Sequence, residues 1–282
     1  MAGTSVSSDE GQFEGKRGTE IHYRTWKPVG KIKALVVLIH GQGDHSGRYM
    51  HVADHLSRAG YAVWAPDLRG HGKSGGGRGH VDNFDDYLDD TGRAIEKAKE
   101  QSPQAKTFLI GHSLGGLVVL DYAEKHGSAL SGVVATAPLL RLKMKVPPWK
   151  VALGKMLSRI TPTLSMKTGL DPNLLSHDPE IVRNYVNDPL VHGVASTRFY
   201  TELMRAVDET IRDATKLTIP CLIMQGSGDG IVDPSATEDF FKRVASADKT
   251  LKVYDGFYHE VLNEPGKEEL LREISTWLAG RI

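Results

Sequence analysis

Five short, almost uninterrupted apolar runs lie at 34–39 (ALVVLI), 62–65, 107–110, 132–137 (GVVATA) and 221–224. Stretches with helical spacing fall around them, at 49–59, 84–99, 114–126, 235–245 and 267–277. A strand that is apolar at every position has both faces buried, which is the condition of a parallel sheet covered by helices. The alternation predicts a doubly wound α/β fold with a mostly parallel central sheet and helices on both faces. Residues 20–26 (EIHYRTW) alternate apolar with polar, as a strand with one solvated face does.

The rhythm breaks once. After Pro138 no buried-strand run recurs until Ile219, and prolines at 147, 148, 162, 172, 179 and 189 punctuate helical and loop-like sequence. Residues 13–138 and 206–282 are read as the core, 139–205 as an inserted helical cap, and 1–12 as a flexible polar tail. In the cap, Trp149, Ala152, Leu153, Met156, Leu157 and Ile160 share one helix face, with Lys150, Lys155, Ser158 and Arg159 opposite. The plain expectation is that this apolar face packs inward on cap or core. The sharper one is that Met156, together with Leu139, lines an entrance for apolar substrate. The cap is also suited to transient contact with a membrane surface.

Composition excludes other classes. Thirty-five basic residues balance 35 acidic ones, so there is no charge footprint for nucleic acid. The longest apolar run has six residues, against the about 20 that a membrane span needs. The tail lacks the basic region and apolar core of a signal peptide. One cysteine, Cys221, forbids an intramolecular disulfide and a cysteine zinc cluster, and a cytoplasmic address is the expectation.

Chemistry concentrates at Gly111-His112-Ser113-Leu114-Gly115, followed by Gly116. A G-x-S-x-G sequence between a strand and a helix places its serine on a tight turn at the carboxyl end of the sheet, at a helix N-terminus. A serine hydroxyl needs a base oriented by a carboxylate, in the chain order Ser, acid, His. Asp229, in the Gly-rich turn after 221–224, is the expected acid; Asp233 competes but suits the start of the next helix. The base must follow the acid, and His259 is the one histidine that does. The oxyanion needs donors, expected from the backbone N–H groups of Leu114 and of Gln42 in the loop His40-Gly41-Gln42-Gly43. His40 is expected to brace that loop. No metal and no cofactor is called for. HVADH, with His51 and His55, lacks the glutamate of a zinc motif, and GGGRG at 75–79 lacks the ending of a phosphate loop.

With these residues assembled, the chain resembles the serine α/β-hydrolases, and within them the monoacylglycerol lipase and lysophospholipase branch. The resemblance rests on HGQGDHSGRY (40–49), DLRGHGKS (67–74), GHSLGG, NDPL (187–190), GSGD and YHEVLNEP (258–265). It implies a small-molecule lipid ester as substrate, a hydrophobic acyl channel under the cap, and Asp44 and Arg48 near the glycerol end. Two positions depart from the pattern: Gln42, where some relatives carry Ala, and Leu262, where the animal enzymes have a second histidine. These leave the head group open, so lysophospholipids and thioesters stand beside monoacylglycerols as alternatives. A non-enzymatic relic is disfavoured because serine, acid and histidine are all present in order.

Overall fold

The computed structural model describes residues 7–144 and 147–282. Its elements run β1 (Ser7–Glu14), β2 (Glu20–Lys27), β3 (Ala34–Ile39), α1 (Met50–Arg58), β4 (Tyr61–Pro66), α2 (Asp85–Gln101), β5 (Thr107–His112), α3 (Leu114–His126) and β6 (Gly132–Thr136). They continue α4 (Pro148–Ile160), β7 (Ser165–Lys167), α5 (Pro179–Asn187), β8 (Val194–Ser196), α6 (Thr197–Asp213), β9 (Cys221–Gly226), α7 (Pro234–Arg243), β10 (Lys249–Tyr254) and α8 (Lys267–Ala279).

Eight strands form one sheet in the order β1-β2-β4-β3-β5-β6-β9-β10, antiparallel at the β1 and β2 end and parallel from β4 onward. Each central strand feeds two cores, because successive side chains point to opposite faces. Leu35, Val37 and Ile39 of β3 join Leu117, Leu120 and Ile95 on one side. Val36 and Leu38 meet Val52 and Leu56 of α1 and Ile274 and Leu278 of α8 on the other. Every residue of β3, β4, β5, β6 and β9 is buried. Each fully buried Leu, Ile or Val contributes about 1.5–3 kcal/mol.

The structure corrects the expected tail. Residues 7–12 are not loose: they belong to β1, paired antiparallel with β2 from Ser7↔Lys27 to Glu14↔Glu20. An edge strand is held by its backbone ladder, so a polar sequence with one buried anchor, Phe13, can form it. The rest of the expected tail, 1–6, lies outside the described residues.

Two further corrections concern the segment between β6 and β9. The border expected at 205 falls inside α6, a continuous helix whose Phe199, Leu203, Ala206 and Val207 sit in the main core. The core therefore reaches back to the start of α6. Second, α4 is rotated relative to its apolar pattern. Trp149 is 63% exposed, Met156 51% and Ile160 68%, while Gly154 and Ser158 are buried. Ser158 and Gly154 face α6, with Ser158 Oγ 2.8 Å from Thr201 Oγ1 and the Gly154 Cβ position 3.9 Å from the Tyr200 ring. The side chain of Lys150 lies outside the described structure.

Candidate active site

β5 ends at His112 and α3 begins at Leu114, so Ser113 alone makes the turn. Its φ of 54° and ψ of −114° are rare for a residue with a side chain, and such strain costs on the order of 1–3 kcal/mol. The surroundings fix it. Ser113 N–H donates to Thr136 O (3.0 Å), and its carbonyl accepts from Leu117 and Leu139 N–H (both 3.0 Å). A Cβ at Gly111 would run into the carbonyl of Gly115, and one at Gly115 into that of Ile39, so both positions must be glycine.

His259 enters from the loop after β10. Ser113 Oγ donates to its Nε2 at 2.9 Å, and its Nδ1–H donates to Asp229 Oδ2 at 2.8 Å. Asp229 is fully buried after β9. Its Oδ1 accepts from the N–H groups of Ile231 (2.8 Å) and Val232 (2.9 Å), and its Oδ2 also accepts from Gln225 Nε2 (3.0 Å). Burial pushes the Asp229 pKa up, but His259 and the two backbone donors outweigh it and hold the carboxyl below its ordinary value. Asp229 thus stays anionic where it can fix the tautomer and orientation of the imidazole. Asp233 sits elsewhere: it caps α7 through Ser235 N–H (3.0 Å) and pairs with Arg141 (3.1 Å).

The loop after β3 lies against the serine, with the Gly41 Cβ position 3.4 Å from Ser113 Cβ. Among the described residues, no protein acceptor is paired with the N–H of Gln42 or of Leu114. The Gln42 side chain turns away from the serine: its Nε2 donates to Val194 O (3.1 Å), and its Oε1 lies 3.0 Å from His71 Nε2. His40 braces the loop, with Nδ1 on Gly41 O and Nε2 accepting from Leu68 N–H, both 2.8 Å.

Asp44 is buried, Arg48 keeps 10% of its side chain exposed, and the two lie 3.2 Å apart. Arg48 is also forked onto Glu260, with Nη1–Oε1 and Nη2–Oε2 both 2.7 Å, and its Cζ lies 4.8 Å from the centre of the Tyr185 ring. Leu139 is buried and backbone-bonded to Ser113. Met156, expected at the entrance, faces outward on α4, because the helix turns its small residues inward. His51 and His55 make ordinary packing bonds, to Leu262 O (2.8 Å) and Ser275 Oγ (3.3 Å).

The inserted segment covers this centre. His259 N–H donates to Leu174 O (3.3 Å) and Glu260 N–H to Leu175 O (2.8 Å). His45 Nε2 meets Asp188 Oδ2 at 2.9 Å, and His192 N–H donates to Gly43 O at 2.9 Å. Glu260, Asn263, Tyr185 and Gln225 escaped the sequence reading. A charged residue directly after the base, in an otherwise apolar stretch, was the available signal for Glu260.

Serine on the turn after β5, acid after β9 and histidine after β10, on this strand order, define the α/β-hydrolase class. Within it, the chain belongs to the serine aminopeptidase S33 family (Hydrolase_4), whose model matches residues 30–266. It is 34% identical over 279 residues to the monoacylglycerol lipase of Mycolicibacterium smegmatis, covering 99% of each chain. It is 34% identical over 269 residues to the monoglyceride lipase of Rattus norvegicus, covering 94% of this chain and 88% of that one. Two solved structures are similar. The monoacylglycerol lipase of Paleococcus ferrophilus has a TM-score of 0.83 at 36% identity, over 99% of this chain and 100% of that one. A soluble variant of the monoglyceride lipase of Saccharomyces cerevisiae, in complex with a substrate analog, has a TM-score of 0.87 at 26% identity, over 100% and 97%.

Proposed function

We propose that this chain is a serine hydrolase that cleaves monoacylglycerols to glycerol and fatty acid through an acyl-enzyme on Ser113. The observation that carries the reading is the unbroken hydrogen-bonded chain Ser113–His259–Asp229 beneath the inserted segment. Ser113 Oγ attacks the ester carbonyl carbon while His259 Nε2 takes its proton. The tetrahedral oxyanion is held by the N–H groups of Gln42 and Leu114. His259 returns the proton to the departing glycerol oxygen, then takes one from water as that water attacks the acyl-enzyme. Collapse releases the fatty acid and restores Ser113. Asp229 stabilises the imidazolium at each stage.

Residues 139–196 act as the cap, with α6 as its root. Leu139 borders the acyl site. The outward apolar face of α4, with Lys155 and Arg159 among its exposed residues, rests transiently on a lipid surface from which substrate is drawn. No helix among the described residues is long and apolar enough to cross a membrane. A cytoplasmic setting accords with the single, buried Cys221.

A hydrolysis panel tests the reading: monoacylglycerols, lysophospholipids, triglycerides, acyl thioesters and p-nitrophenyl esters, with fluorophosphonate labelling of Ser113. Monoacylglycerols are expected to have the highest kcat/KM. Absence of a Ser113 adduct in folded protein refutes the mechanism, and preference for a lysophospholipid or thioester refutes the substrate.

A further inference from the structure

The residue after the candidate base is a buried acid. The Glu260 carboxylate accepts the Arg48 fork and also Asn263 Nδ2 at 2.8 Å, and its own N–H is fixed on Leu175 O. Arg48 shares its charge with Asp44, which accepts from Tyr49 OH (3.0 Å) and His45 N–H (2.7 Å). Two carboxylates therefore face one guanidinium. Burial pushes Glu260 up, but Arg48 and the hydrogen bonds hold it at about 2, so it remains ionised.

Burying such a cluster carries a desolvation cost that well-packed apolar residues avoid, so its worth lies in what it holds. It joins two loops 212 residues apart in sequence: the one after β3, which bears Gln42, and the one after β10, which bears His259. Both must be in register with Ser113.

We propose that Glu260 is a positioning residue for His259: gripped by Arg48 and Asn263, it fixes the histidine's backbone, and with it the ring, against Ser113. This rests on His259 being the base. The charged and titratable groups around His259 are few. Asp229 is bonded to Nδ1, and Lys143 Nζ donates to the Asp229 carbonyl at 3.0 Å. The His112 ring is 4.8 Å away and stays neutral, because burial and His259 lower it to about 3. Next to His259 in the chain stands Glu260, in its cluster with Arg48 and Asp44. Tyr49 and Tyr185 flank that cluster as neutral phenols, each raised by burial. His177 stacks on Tyr258 at 3.7 Å and is paired with Glu264.

The test is kcat and KM on p-nitrophenyl butyrate for wild type, Glu260→Gln and Glu260→Asp, with thermal melting alongside. Glu260→Gln is expected to lower kcat about tenfold or more with KM within about twofold, as misplacement of a reacting group does. Glu260→Asp keeps a carboxylate for Arg48 and should recover part of kcat. An unchanged kcat, or a loss that falls on KM instead, in folded Glu260→Gln overturns the proposal. Should Glu260→Gln fail to fold, Asn263→Ala removes a neutral support alone: kcat is expected to fall with KM held, and an unchanged kcat overturns the positioning role. Activity in folded His259→Ala would defeat the underlying reading instead. An inactive His259→Ala beside a wild-type-like Glu260→Gln defeats only this inference.

Discussion

The carboxyl end of the sheet, which carries Ser113, and the segment that covers it obey opposite packing rules. Under the serine, β3, β5, β6 and β9 are apolar at nearly every position, and the apolar residues are the buried ones. Above it, α4 buries Gly154 and Ser158 and exposes Trp149, Met156 and Ile160. A sheet strand between two helical layers has no solvent side, so apolarity and burial coincide. A helix laid on the outside meets the rest of the protein on one side only, and a polar contact such as Ser158 with Thr201 can select that side. Met156 and Ile160 are then left exposed.

The largest way to break this contrast is through the chemistry on the sheet side. Ser113→Ala and His259→Ala are each expected to lower kcat by on the order of 10⁴-fold or more while the melting temperature holds. Esterase assay with thermal melting checks this, and activity near wild type in folded protein removes the sheet-side centre altogether. Next are the two carboxylates after β9. Asp229→Asn should lower kcat by about 10⁴-fold, since the imidazole loses its orienting charge. Asp233→Asn should leave turnover nearly intact, since Asn also caps helices well; the reverse order in steady-state kinetics would exchange their roles.

Stability sharpens the contrast further. Leu109→Ala in β5 should cost about 2–5 kcal/mol by denaturant unfolding. Ser158→Leu should cost about 1–3 kcal/mol, because its buried hydroxyl contact with Thr201 of α6 leaves no place for a larger side chain. If Ser158→Leu proves stabilising, α4 does not pack through this residue. The smallest effect belongs to Met156→Gln, expected within about 0.5 kcal/mol of wild type in unfolding. Its signature is kinetic: slower hydrolysis of monoacylglycerol in vesicles with an unchanged rate on soluble p-nitrophenyl acetate. Equal rates on both substrates would detach the exposed face from lipid.

The same contrast explains what could be read from sequence. The parallel strands, the turn at Ser113 and the order of Ser113, Asp229 and His259 were legible because burial on both faces and local glycine sterics leave their mark on contiguous residues. β1 was not legible, since SSDEGQ forms a strand only by borrowing the backbone of β2. The orientation of α4 was hidden because it depends on Thr201, forty-odd residues away, accepting a close neighbour. The Glu260–Arg48 bridge was hidden for the same reason: each residue alone reads as solvated charge, and only the meeting of two distant loops makes the pair. Asp44 and Arg48 drew notice by resemblance, whereas their engagement with each other and with Glu260 is a property of the fold.

The amides of His259 and Glu260 donate to the carbonyls of Leu174 and Leu175, which belong to the covering segment. Two adjacent deuterium-exchangeable hydrogens in the loop of the proposed base are therefore sealed by the segment proposed as the cap. Their exchange rates report whether that segment lifts: a slow, cooperative pair would mean that it moves as one body, and unequal rates would mean that it peels from one end.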